Sequence, residues 1–142
     1  AAVVTPRVGG GCVIEFLLAR RSRVLLIRFN MPVTRETLTR LDAERSALFA
    51  REGPMDFIMD FSASSPVEAT ATLTGARAHL RSPAPNHRRI YVAPQDLLFG
   101  ALRMYQIPHD DPLVHVTRSM AEALEMLKVS EGDFEPVGRA ST

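Results

Sequence analysis

Cysteine and tryptophan are scarce in this sequence: Cys12 is the single cysteine among 142 residues, and there is no tryptophan. One cysteine excludes an intramolecular disulfide and a cysteine-based zinc site. The formal net charge of +1 gives no bias towards polyanions, and only 6% of the residues are aromatic. Nucleic-acid sites usually combine basic charge with exposed aromatic side chains, so we predict no nucleic-acid partner. The longest apolar runs fall well short of the roughly 18 residues that cross a bilayer, which predicts no membrane span.

Motifs that carry catalysis or metal binding are also missing. The histidines form no His-Glu-x-x-His pair, no serine lies in a Gly-x-Ser-x-Gly elbow, and the glycines at 9–11 precede no helix with Lys-Ser or Lys-Thr. His109 with Asp110 and Asp111 could form a metal loop, although adjacent loop carboxylates are far more often solvated. We therefore predict a protein that is not an enzyme and has no metal or cofactor.

The composition that is present suits one domain with a substantial core, because 46% of the 142 residues are hydrophobic. Residues 1–11 contain Pro6 and three consecutive glycines, which predicts a flexible arm. This arm lacks a basic segment followed by an apolar stretch, unlike a secretory signal. We predict that residues 12–129 form the domain and that residues 130–142 form a loose tail. Together these features predict a soluble, cytoplasmic protein.

Strand and helix patterns alternate along residues 12–129. Two β-rich runs, 12–18 and 23–29, predict a hairpin whose second strand is apolar on both faces and lies inside the sheet. Further strands are predicted at 55–62, 89–93 and 113–117, and helices at 34–51, 67–80, 94–105 and 119–127. Strands alternating with helices predict a single α/β domain with a mixed, mostly parallel sheet and about four helices. The hairpin is expected to supply an antiparallel edge.

The apolar run at 55–62 is predicted to be the central strand. It is short, has few charges and ends in Asp60 and the turn-forming Ser62, a pattern typical of a strand that is buried on both faces. The residues that follow it, 60–68, lie where an open α/β sheet presents its functional loops. The sequence therefore predicts a working surface at the carboxyl end of this strand.

Two segments resemble the STAS domains and their Sec14-like relatives, among which the bacterial anti-sigma factor antagonists are best known. Residues 56–62, Asp-Phe-Ile-Met-Asp-Phe-Ser, resemble the central strand that leads into the signature loop of this family. Residues 90–123 resemble its last strand–helix–strand–helix unit, from Ile-Tyr-Val-Ala-Pro to Val-Thr-Arg-Ser and Glu-Ala. The resemblance covers about residues 12–128. It implies a STAS-like fold, and a non-enzymatic regulatory or protein-interaction function with a protein partner.

Signalling members of this family carry a phosphorylatable hydroxyl after an acidic residue, in an Asp-Ser-Ser-Gly type of motif. The nearest register here is Glu-Ala-Thr-Ala at 68–71, so the resemblance implies Thr70 as the hydroxyl and Glu68 as the acid, although the glycine is absent. A phosphate at a helix N-terminus would meet free N–H donors and a favourable dipole. The alternative is that the hydroxyl residues serve as turn and cap residues. The candidates for a partner-binding site or phosphosite are Ser62, Ser64, Ser65, Glu68 and Thr70.

Phe99 and Gly100 are the candidates for a ligand pocket. A glycine inside a helix costs about 1 kcal/mol relative to alanine, so its presence calls for a reason. One reason is close approach of the helix to a neighbour, with Leu97, Leu98 and Ala101 among the residues that face the core. The other is space for a ligand, which predicts the alternative function of a small-molecule or lipid binder with an apolar pocket between sheet and helices. A homodimer is a further candidate assembly.

Overall fold

A computed structural model of the chain describes residues 13–30, 33–63, 86–109 and 112–137, and the side chains of 14–103 and 112–137 within those ranges. The chain begins with a β-hairpin, continues with strands and helices in alternation, and ends in a short turn and strand. The elements are β1 Val13–Ala19, β2 Val24–Asn30, α1 Arg35–Glu52, β3 Asp56–Asp60, β4 Arg89–Val92, α2 Asp96–His109, β5 Val114–Thr117, α3 Met120–Leu127, a 3-10 turn Glu131–Asp133, and β6 Glu135–Pro136.

The strands form one mixed six-stranded sheet in the order β5-β4-β3-β2-β1-β6. The four strands from β2 to β5 are parallel neighbours, whereas β1 is antiparallel to both β2 and β6. The prediction of a single α/β domain with a mostly parallel sheet is therefore confirmed, and so is the position of β3 inside it. The hairpin strand β1 is antiparallel as predicted, but it is not the outermost strand, because β6 pairs with its residues Leu17 and Leu18.

Three α-helices lie within the described residues, against about four predicted. The helix predicted at 67–80 lies outside those residues. Thr34 caps α1 as predicted: its Oγ1 accepts the Thr37 N–H at 3.1 Å, and its own N–H donates to Thr37 Oγ1 at 2.8 Å. Ser119 caps α3 in the same way by accepting the Glu122 N–H. Every helix in the described ranges is too short or too polar to cross a bilayer.

The handedness of the connections decides where the helices lie. Strands β2 to β5 are added in one direction across the sheet, so right-handed crossovers place α1 and α2 on the same face. Their buried side chains form the larger core with alternate residues of the strands, including Phe57 and Tyr91. The strand residues between them point to the other face of the sheet, and these residues, including Ile58 and Ile90, form a second core under α3.

Helix α2 presents a different face to the core than its sequence predicted. The helix begins at Asp96 rather than Pro94, and Leu98 and Leu102 point inwards with 0% and 4% exposure. Leu97 was expected to face the core as well, but 51% of it is exposed. Leu97 points about 100° away from Leu98 around the helix, on a side of α2 that the core does not cover.

Residues 131–137 form a strap that crosses to the far edge of the sheet, and this corrects the prediction of a loose tail there. Val137 donates its N–H to the Phe16 carbonyl at 3.0 Å and is 4% exposed in the larger core. Phe134 packs against the second core. The strap is held because one side chain enters each core, a contact that its aperiodic sequence did not signal.

Pro136 gives the strap a protective role at the sheet edge. Pro136 pairs with Leu17, and the next residue, Val137, donates its N–H inwards to β1. Alternate N–H groups of a strand point to opposite sides, so position 136 would point its N–H away from the sheet. Proline has no N–H to offer there, which blocks the addition of a further strand.

We expect Val137→Asp to detach the strap. A carboxylate cannot enter the larger core without losing its hydration, so the strap should leave while the rest of the domain stays folded. Trypsin should then cleave faster after the exposed Lys128, as timed by mass spectrometry. Glu135→Ala is the control, because this side chain is exposed in the same strand. Equal cleavage rates in both variants would show that the Val137 side chain does not hold the strap.

Candidate functional site

Asp60 closes the carboxyl end of β3 with a side-chain turn. Its Oδ1 accepts the Ser62 N–H at 2.9 Å and also the Ser62 hydroxyl, while Asp60 itself is only 8% exposed. An aspartate that binds the backbone two residues on is a common way to end a strand. The predicted site residue Ser62 is therefore exposed at the start of the loop, with its hydroxyl engaged by Asp60.

Arg28 connects Asp60 to the C-terminal strap. It lies directly beside Asp60 on the neighbouring parallel strand, with Nε 3.9 Å from Asp60 Oδ2. Its Nη2 donates to Glu131 Oε2 at 3.1 Å. Glu15 is paired with Arg28 across the hairpin and accepts from Asn30 Nδ2 at 2.9 Å. The Glu131 side chain is 71% exposed, so its pair with Arg28 adds little stability, and the main effect of these alternating charges is to fix positions.

Side-chain bonds join the three loops that follow β3, β4 and β5. Gln95 Nε2 donates to the Ser62 carbonyl at 3.2 Å, which ties the loop after β4 to the loop after β3. Arg118, after β5, pairs through Nη1 with Asp96 Oδ1 at 2.5 Å. The Arg118 guanidinium also lies 4.1 Å from the centre of the Phe99 ring, within the range of a cation–π contact. The carboxyl ends of the parallel strands thus carry one connected surface.

We call this the carboxyl-end surface and define it by Ser62, Ala63, Asp96, Leu97 and Arg118. Leu97 is the exposed large hydrophobic residue of the described part of the chain. Sequence reasoning missed it because Leu97 fits an apolar helical stripe as well as Leu98 does. The charged residue at the adjacent position 96 was the one sequence signal that this end of α2 faces outwards.

The other predicted site residues fall into two groups. Ser64, Ser65, Glu68 and Thr70 lie outside the described residues. Phe99 and Gly100 are partly buried on α2: Phe99 packs against the larger core, and Arg118 covers one face of its ring. Apart from its chain neighbours and the nearby backbone of α2, no described atom lies within 4 Å of the position a Gly100 Cβ would take. The described part of the chain therefore leaves room at Gly100 and makes no close helix contact there.

A buried arginine on α1 is a second polar feature that sequence reasoning did not identify. Arg45 is 5% exposed, and its Nη2 donates to Asp42 Oδ1 at 2.6 Å. Its guanidinium lies 5.3 Å from the centre of the Phe57 ring, and its Nε has no hydrogen-bond partner among the described residues. Burial lowers the pKa of Arg45, and the charge of Asp42 opposes that shift. Burial also disfavours the charged form of Glu44 and so raises its pKa, while the charge of nearby Arg40 opposes that shift.

The opposite end of the sheet holds further charged groups. A surface cleft of about 330 Å³ separates the β1–β2 turn from the strap and is lined by Ala19, Arg20, Arg21, Ser22, Asp133 and Glu135. Asp56, at the amino end of β3, accepts the Arg88 N–H at 2.9 Å and lies 3.3 Å from His87 Nδ1. Within the described residues, no three His, Cys, Asp or Glu side chains are grouped as a metal site.

No known family model matches this sequence, and no curated protein matches it. The likeness to STAS domains therefore remains a prediction from the sequence segments at 56–62 and 90–123.

Proposed function

We propose that this protein is a non-enzymatic protein-interaction or regulatory module of STAS-like architecture, which binds a partner through its carboxyl-end surface. The observation that carries the proposal is the exposure of Leu97, at 51%, on a surface whose loops are bonded to one another. Exposed apolar surface that is rimmed by polar residues, here Asp96 and Arg118, marks many protein-interaction sites.

The polar groups at this end support interaction rather than catalysis. Asp60 accepts two hydrogen bonds from Ser62, Asp96 pairs with Arg118, and Ser119 accepts from Glu122. Each of these contacts ends a strand, caps a helix or joins two loops. These contacts hold the described ends of the loops in place, which lowers the conformational entropy that their ordering would cost on association.

A small apolar ligand is the second candidate, and the open space at Gly100 would place it on the outer side of α2 rather than between sheet and helices. A ligand lying there would contact α2 beside Phe99, whose ring faces Arg118 on the other side. Native mass spectrometry of the protein from its own host separates the two functions, since it reports a retained small molecule and a retained protein together.

The proposed function is tested by blocking the loop after β3. Ala63 is exposed, so Ala63→Arg should leave the thermal melt unchanged. In quantitative pull-downs with the tagged protein, it should reduce capture of a specific partner at least about tenfold, because a bulky charge disrupts a packed interface.

The control is Ala43→Arg, the same substitution at an exposed position of α1 away from the strand ends. It should retain the partner at the level of the parent protein. If Ala63→Arg and Ala43→Arg retain the partner equally, the binding surface is not at the carboxyl ends of the strands.

A further inference from the structure

The outer face of α2 carries two charges of opposite sign and one apolar side chain around a glycine. Leu98 and Leu102 point into the core, so the residues on the other side of the helix face outwards. Gly100 lies near the middle of this outer face. Asp96 and Leu97 precede it by about one turn, and Arg103 follows it by about one turn.

These residues form two ridges along the helix. At about 100° per residue, Asp96 and Arg103 are seven positions apart and fall on the same side of Gly100. Leu97 falls on the other side, which separates a charged ridge from an apolar one. The Asp96 side chain is 91% exposed, and Arg103 is exposed without an ion-pair partner among the described residues.

This pattern is self-complementary under a two-fold axis. When two identical helices pack antiparallel around such an axis, each ridge faces the same ridge of the other copy in reverse direction. With the axis near Gly100, Asp96 of one copy would face Arg103 of the second copy, and the reverse pair would form as well. The apolar ridges would meet on the other side, with Leu97 in each.

We propose that the partner of α2 is a second copy of this chain, packed antiparallel through Asp96, Leu97, Gly100 and Arg103. The inference rests on the proposed function, since it names a partner for the part of the carboxyl-end surface that α2 contributes. The absence of a side chain at Gly100 lets the two helix backbones approach closely at the axis. Asp96 keeps its contact with Arg118, because a carboxylate has acceptor sites for more than one guanidinium.

A single pair of helices buries less than the roughly 1,000 Å² of a stable interface, so the dimer should be weak and depend on concentration. Sedimentation velocity of the purified full chain over a wide concentration range should show a reversible monomer–dimer equilibrium. Asp96→Lys would place Lys against Arg103 of the second copy, and Arg103→Glu would place Glu against Asp96. Each variant alone should weaken dimerisation by about tenfold or more, because like charges would face each other twice.

A mixture of the two variants is the decisive measurement. In a mixed pair, Lys at 96 faces Glu at 103 and Arg103 faces Asp96, so both contacts are restored and a heterodimer should form. Arg21→Glu is the control for Arg103→Glu, because it makes the same charge change at the hairpin turn. It should dimerise like the parent protein.

Two results would overturn the inference: a parent protein that is monomeric at every concentration, or dimers that neither single variant weakens. A mixture of the Asp96→Lys and Arg103→Glu variants that stays monomeric, although each variant is folded, would also overturn it. These outcomes are separate from the Ala63 test, since a monomeric protein can still lose a different partner in Ala63→Arg. Conversely, a dimer restored by the mixture would stand even if Ala63→Arg captured every partner normally.

Discussion

Ile58→Asp is expected to leave no folded protein. Ile58 is 0% exposed in β3, which has parallel strands on both sides, and it packs in the core under α3. Aspartate at this position would be charged and without a hydrogen-bond partner, at a cost of several kcal/mol. Most domains have a free energy of unfolding of only about 5–15 kcal/mol, so the loss of packing and the buried charge together should exceed it.

Circular dichroism during a urea titration checks this expectation. The control is Leu97→Asp, which replaces a similar side chain by the same acid at a position that is 51% exposed. It should unfold at nearly the urea concentration of the parent protein. An Ile58→Asp variant with a cooperative transition near that of the parent would contradict the central position of β3.

Asp42→Asn is expected to destabilise the domain by about 2–3 kcal/mol, because it leaves Arg45 charged, buried and without its carboxylate. The Arg45 side chain is 6% exposed and that of Asp42 is 34% exposed. The partial exposure of Asp42 places the expected cost below the figure for a fully buried pair. Urea unfolding of the purified variants measures the difference directly.

Arg45→Met should behave differently from Asp42→Asn although both remove the same ion pair. Methionine keeps much of the apolar contact with Phe57 and removes the charge that burial disfavours, so stability should change by less than about 1.5 kcal/mol. Asp42→Asn made in the Arg45→Met background should then cost under about 1 kcal/mol. A full cost for Asp42→Asn in both backgrounds would show that Asp42 stabilises the domain through other contacts than Arg45.

Local sequence patterns were sufficient to predict most of the fold. The run at 55–62 is short and mostly apolar, and such a run is typical of a strand with neighbours on both sides. Thr34 and Ser119 were identifiable as helix caps because their hydroxyls satisfy N–H groups only three residues away. Contacts between residues three positions apart depend only on the local sequence, so they can be predicted without knowledge of the rest of the chain.

The candidate site was predictable in location but not in composition. Ser62 follows the central strand, and the carboxyl end of a parallel strand is where α/β folds present their loops. The bonds that join these loops, from Gln95 to Ser62 and from Arg118 to Asp96, link residues 33 and 22 positions apart. No periodic pattern reports such pairs, because they depend on the order of the strands in the sheet.

The sequence by itself determined most of the elements: the runs that form β1 to β5, where two of the helices begin, and that the chain builds an α/β domain. The tertiary structure alone decided that Leu97 faces outwards while Leu98 faces the core, and that residues 131–137 cover the edge of β1. The physical reason is that hydrogen-bond periodicity and capping act over a few residues, whereas burial depends on which surface a distant segment occupies. Val137 and Phe16 lie near opposite ends of the chain, and the tertiary fold brings them into contact.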